Sequence, residues 1–171
     1  MKNFLTIKNN NGAVTKIKKE HIIIVPYISK EIEIYTTSGR WEVIKKIACE
    51  NFDEVLKELK DLNFLEIERE YEKIMIAENK ISTVTITDNY ISFYPSANGL
   101  PINFMKDDKC FEKAKEVAEN LNFIAISKEE TIIKLSPEAI EKVYQEMDRV
   151  IITTTSGNTY RELSKNIKWI D

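Results

Sequence analysis

Glycine and proline are scarce in this sequence, four of each in 171 residues, and no stretch is at once long, charged and free of apolar side chains. That excludes a flexible linker, and a hydrophobic content of 43% argues against disorder, because chains that stay unfolded are poor in such residues. With one histidine, His21, there is no paired-imidazole metal spacing. Nor is there a glycine-rich phosphate loop, or a Ser or Cys nucleophile with an evident base. His21 therefore reads as a structural or surface residue. Two cysteines, Cys49 and Cys110, do not fall at equivalent positions of the pattern described below. They are expected to be reduced and to serve as small apolar side chains. No apolar run approaches the ~20 residues that a membrane span requires. The N-terminal segment turns polar after Ile7 and lacks a small-residue cleavage site, so a cytoplasmic protein is expected. Carboxylate pairs are abundant, but 28 acidic residues produce them on any solvated face. No enzyme, cofactor or metal is expected.

What the sequence does contain is self-similarity. Asn3-Phe4-Leu5-Thr6-Ile7 recurs as Asn63-Phe64-Leu65-Glu66-Ile67 and as Asn122-Phe123-Ile124-Ala125-Ile126, at steps of 60 and 59 residues. Ile22 and Val25 are matched by Ile81 and Val84 and by Ile140 and Val143, each step being 59 residues. Ile32, Ile91 and Val150 keep the same spacing. Thr36-Thr37-Ser38-Gly39 returns unchanged as Thr154-Thr155-Ser156-Gly157, and Phe52 and Leu62 return as Phe111 and Leu121.

Each copy has the same local pattern. Phe4, Leu5 and Ile7, a turn at Asn10-Asn11-Gly12, then Val14 and Ile17 read as a hairpin. Ile32 and Ile34, the glycine turn, then Trp41 and Val43 read as a second one. Phe52, Val55, Leu56, Leu59 and Leu62 fall at helical spacing, with Asn51 as the expected cap. Phe111, Ala114, Val117, Ala118 and Leu121 repeat that helix. In the third copy the stretch from Ser136 through Met147 supports two readings. Pro137 and the spacing of Ile140, Val143, Tyr144 and Met147 suit a short helix, whereas the matching stretches elsewhere read as strand.

The expected fold is therefore α+β and β-rich. It comprises three tandem units of about 59 residues, at 3–62, 63–121 and 122–171, the last without its closing helix, all packed as one compact body. One helix cannot cover a whole unit, so neighbouring units must share a core or continue one sheet. An apolar face that includes Trp169 and Ile170 is expected where the third helix is missing. Phe52, Phe64, Phe111 and Phe123, which flank the helices, are expected to be buried.

The layout formed by residues 2–25, 31–43, 52–62 and 63–71 resembles the LytTR family of β-rich DNA-binding domains. The resemblance covers roughly residues 1–105 and, by overlap, 63–168. It implies a DNA-binding transcription regulator, with the segment after the helix contacting DNA. Here that segment holds Glu66, Glu68, Arg69 and Glu70, and in the next copy Ser127, Lys128, Glu129 and Glu130. Arg69, Tyr71 and Lys128 are the residues that carry over.

Acidic side chains oppose phosphate binding, which rests on Lys and Arg. The net charge is −3, yet residues 1–50 carry nine Lys or Arg against five Glu. A non-enzymatic binding or regulatory protein, an inhibitor or adaptor covering a surface of a protein or protein–nucleic acid partner, is thus the leading expectation, ahead of a LytTR-like DNA binder. No membrane partner is expected, and oligomeric state is open. Lys18, Lys19, Arg40 and Trp41 are the candidate contacts, with Trp41 as anchor and the lysines as a steering rim. The opposing expectation is that Trp41 packs inward and the lysines only maintain solubility.

Overall fold

The computed structural model describes residues 3–39, 41–96 and 101–170. The chain is β-rich, with two α-helices among the described residues, and divides into two compact units. The division falls between Lys80 and Ile81, inside the second copy of the sequence period rather than at its ends. Strand pairing explains this placement.

The first unit begins with the hairpin β1 (Phe4–Lys8) and β2 (Val14–Lys18). Next come β3 (Ile22–Ile28), β4 (Glu31–Thr36), β5 (Trp41–Lys45) and the helix α1 (Phe52–Lys60). A further hairpin, β6 (Phe64–Glu68) and β7 (Lys73–Ala77), completes the unit. The last five strands form one antiparallel sheet in the order β5-β4-β3-β7-β6. Because β7 closes the edge of β3, residues 63–77 belong to the sheet of the preceding copy. The core joins Leu5, Ile7 and Ile17 of the first hairpin to Val25, Ile32, Ile34 and Ile44 of the sheet, with Phe52, Val55 and Leu59 of α1 between them. The apolar stripe of α1 is thus buried as its spacing requires.

Asn51 does not cap α1. Its Oδ1 accepts the backbone N–H of Lys8 at 2.8 Å and its Nδ2 donates to the Thr6 carbonyl at 2.9 Å, so the amide ties the helix start to the edge of β1. Asparagine offers both a donor and an acceptor, and an unpaired strand edge presents both in return. The long-range partner outcompetes the local one.

The second unit contains β8 (Ile81–Ile86), β9 (Tyr90–Pro95), β10 (Ile102–Met105) and α2 (Phe111–Asn120). The hairpin β11 (Ile124–Lys128) and β12 (Thr131–Leu135) follows, then β13 (Ile140–Glu146), β14 (Arg149–Thr154), β15 (Thr159–Leu163) and β16 (Ile167–Lys168). Six strands form a sheet in the order β10-β9-β8-β12-β11-β16, and β13-β14-β15 form a separate three-stranded sheet. Ser136 to Met147 is therefore not a helix. Pro137 starts only one 3-10 turn, Pro137–Ala139, after which the chain is extended as β13. Ile140 and Val143 occupy the places that Ile22 and Val25 hold in β3, and pairing with β14 decides between the two readings.

The two Thr-Thr-Ser-Gly turns make the same bonds. Gly39 N–H donates to the Thr36 carbonyl at 2.9 Å and Gly157 N–H to that of Thr154 at 2.8 Å. The hydroxyls of Thr36 and Ser38 lie 3.1 Å apart, and those of Thr154 and Ser156 2.9 Å. Both glycines have positive φ, 73° and 84°, which non-glycine residues adopt only at a cost of ~1–2 kcal/mol.

Phe52 and Phe111 are buried, but Phe64 and Phe123 are only half-buried. Each of the latter precedes or starts a hairpin beyond the helix end, where one side of the ring remains open. Ile170 packs on the cluster of Ile124, Ile126, Leu135, Val150, Ile152 and Ile167, while Trp169 stays 44% exposed.

One buried charge has no counterpart in the first unit. Lys134, on β12, is 6% exposed and donates from Nζ to the carbonyls of Glu119, at 2.6 Å, and Leu121 at the end of α2. Burial, and then the nearby Lys168 ammonium, pull its pKa below the ordinary lysine value, against the opposing pull of Glu119.

Candidate interaction site

Alternation along β4 and β5 sets the exposed face of the first sheet. The register pairs Tyr35 with Trp41, Glu33 with Val43 and Glu31 with Lys45. These six point away from the core that takes Ile32, Ile34 and Ile44. Trp41 is 58% exposed, so it does not pack inward. Its ring lies nearly parallel to that of Tyr35, at 6.2 Å between centroids and 18° between planes. Glu33 holds the pair from below: its Oε2 accepts from Tyr35 Oη and from Trp41 Nε1, each at 3.0 Å. The polar ends of both rings are satisfied within the sheet, and their faces remain open beside Val43.

The Tyr35 phenol is held above its usual pKa of 10.0, first by partial burial and then by the Glu33 hydrogen bond and the charges of Glu33 and Glu72. Glu33→Gln should bring the Tyr35 titration part of the way back toward 10.0, as read by ultraviolet absorbance. The recovery is partial because burial, the largest cause, is unchanged. An unmoved titration would break the link between Glu33 and the ring.

The basic candidates are distributed differently. Lys18, at the end of β2, pairs with Glu20 at 3.4 Å. It lines a shallow groove with Lys16, His21, Thr36, Ser38 and Glu42. Glu42 alternates with Trp41 on β5, so Lys18 and Trp41 flank the strand on opposite faces. Lys19 pairs with Glu58 of α1 at 2.9 Å and ties the β2–β3 connection to the helix. Arg40 lies outside the described residues. His21 is exposed, its Nδ1 lying 2.8 Å from Thr37 Oγ1, which fixes the β2–β3 connection to the β4–β5 turn.

Tyr35 and Glu33 are the members that pattern reading did not single out. The strand Trp41-Glu42-Val43-Ile44-Lys45 carries an apolar and a charged residue on each face, so alternation alone does not tell which face is buried. The stronger signal is the placement of Tyr35 and Trp41 on either side of the glycine turn.

The segment after α1 is laced by ion pairs. Lys73 contacts Glu66 and Glu68, each at 2.9 Å, and Arg69 contacts Glu72 at 3.4 Å. Hydrogen bonding to Lys73 lowers the Glu68 pKa, and hydrogen bonds to Glu68 and Glu66 raise that of Lys73. Lys128 lies 3.7 Å from Glu162, and Tyr71 is 82% exposed. No helix among the described residues is long and apolar enough to cross a membrane. No family model matches the chain, and neither a curated protein nor a solved structure matches it.

Proposed function

We propose that the chain is a non-enzymatic binding or regulatory protein, built as three tandem units, that covers a surface of a protein partner in the manner of an inhibitor or adaptor. The observation that carries this reading is the open aromatic face of Tyr35, Trp41 and Val43, pinned by Glu33. Tyr and Trp are the usual anchors of protein interfaces, and rings already held in place lose little side-chain freedom on docking. Lys18, on the opposite face of β5, and Arg40, next to Trp41 in the sequence, are proposed to add steering charge around the site. Lys19, paired with Glu58, contributes less. The tandem-unit reading rests on the 59-residue steps together with the recurring order of hairpin, 3-10 turn and three-stranded meander.

Affinity capture with the parent protein and with Tyr35→Ala/Trp41→Ala tests the docking face. A partner retained by the parent should be lost from the double variant, which should stay folded with a melting temperature lowered by no more than about 10 °C, since the stacked pair is worth about 0.5–1.5 kcal/mol. Equal retention by both proteins would remove this face as the docking surface. The LytTR-like alternative is tested by an electrophoretic shift with duplex DNA at low and moderate salt. A shift weakened by Arg69→Ala or Lys128→Ala and by salt would favour DNA, because these are the basic residues that the resemblance carries over to the contact segment.

A further inference from the structure

Two strand edges in this chain are open in places where the same edge is closed elsewhere. Val25 of β3 pairs with Met75 of β7, and Val84 of β8, 59 residues on, pairs with Lys134 of β12. In each case the first strand of a three-stranded meander receives the second strand of the hairpin that follows it. Val143 of β13 is the next member of this series, yet among the described residues β13 pairs with β14 alone. Val25 and Val84 are fully buried, whereas Val143 is 44% exposed and Tyr144 50%. The converse holds at the other end of the series. β2 is the second strand of a hairpin, like β7 and β12, but among the described residues it pairs with β1 alone.

We infer that β2 of a second copy of this chain adds to the open edge of β13, joining copies head to tail. The hairpin registers fix the alignment. Leu5 faces Ile17, Leu65 faces Ile76 and Ile124 faces Leu135, so Ile17, Ile76 and Leu135 are equivalent. Ile76 pairs with Ile24 of β3, and Leu135 with Thr83 of β8. Ile17 therefore faces Lys142, Lys16 faces Val143, Thr15 faces Tyr144 and Lys18 faces Glu141. The aliphatic stem of Lys16 lies over Val143 as the stem of Lys134 lies beside Val84. Charge agrees with this occupant: β2 presents Lys16 and Lys18, while β13 presents Glu141 and Glu146. An exposed strand edge is a template for pairing, and the chain itself forms this junction twice. Because the two surfaces differ, the association is heterologous and builds a closed ring or an open filament.

The unmodified protein comes first. Sedimentation velocity over a concentration series should give a mass that rises above 19.9 kDa to two chains or more. Register is then tested by mixing Val143→Cys protein with Lys16→Cys protein under mild oxidation. A two-chain disulfide product is expected, at least tenfold more abundant than with Thr15→Cys in place of Lys16→Cys, since a one-residue slip moves the side chain to the other face. Val143 and Lys16 are exposed, Thr15 is half-buried, and the native Cys49 and Cys110 are buried. A single-chain mass at every concentration would overturn the proposal. So would equal cross-linking at positions 15 and 16, or efficient cross-linking within Val143→Cys protein alone, which would mean β13-to-β13 pairing.

Discussion

Replacing Phe52 by Ala is expected to destabilise the first unit by about 3–5 kcal/mol. The ring is 3% exposed and sits at the start of α1 among Leu5, Ile7 and Ile17 of the first hairpin and the inward residues of the sheet. Removing it opens a cavity between three elements, none of which can close in without leaving the others. Phe64→Ala should cost roughly half as much, because its ring is only partly buried against the same cluster. Each unit contains one tryptophan, Trp41 or Trp169, so urea unfolding followed by Trp41 emission in a Trp169→Phe background reports on the first unit. Equal midpoints for Phe52→Ala and its parent would mean that the helix does not hold the hairpin to the sheet.

Lys134→Glu should cost about 3–5 kcal/mol, because it buries a carboxylate against the carbonyls that the ammonium now bonds. The native ammonium donates to two carbonyls at the end of α2, whereas a carboxylate there would face the same oxygens with nothing to donate. Lys134→Met removes the donor without adding repulsion and should cost about 1.5–3 kcal/mol, the range for hydrogen bonds to charged groups. The loss should also depend on pH. Burial depresses the folded-state pKa, so the unfolded chain binds the proton more tightly. The amine then contributes most above the unfolded value of 10.5, and that contribution is lost as pH falls through the folded pKa. The stability gap between the parent and Lys134→Met should therefore widen as pH rises toward 10.5. A gap that narrows would mean that the folded state favours the charged amine.

Lys134 also marks where reading the sequence stops. Its ladder position is that of Met75, a fully buried apolar residue, and a period in the sequence treats the two as interchangeable. Only the neighbouring helix end, with carbonyls aimed at it, makes lysine suitable there. The hairpins, both helices and the glycine turns were legible because each is specified by residues close together in the chain, as in Thr36 through Gly39. The pairing of β7 with β3 and of β12 with β8 was not, because equal spacing says which positions correspond and not which edges meet. Asn51 was misassigned for the same reason, its partners being Thr6 and Lys8 rather than the first turn of its own helix. At the candidate site, Trp41 was named from the sequence, but Lys18 lies on the other face of β5 and Lys19 is paired with Glu58 of α1. The orientation of Trp41 was not legible, since Glu42 and Val43 give neither face of β5 a clear preference.

The closure of β3 by β7 also sets a sequence of events during synthesis. As the chain leaves the ribosome, β3, β4 and β5 can pair at once, and α1 can settle on them with the first hairpin. The inner edge of β3 stays open until Lys73–Ala77 has emerged, so a nascent chain halted just after α1 exposes a strand edge that the finished unit hides. β8 waits in the same way for Thr131–Leu135. Synthesis thus leaves the edge of β3 open until β7 emerges and that of β8 until β12 does, and in those intervals the young chain is open to mispairing with its neighbours on the same message.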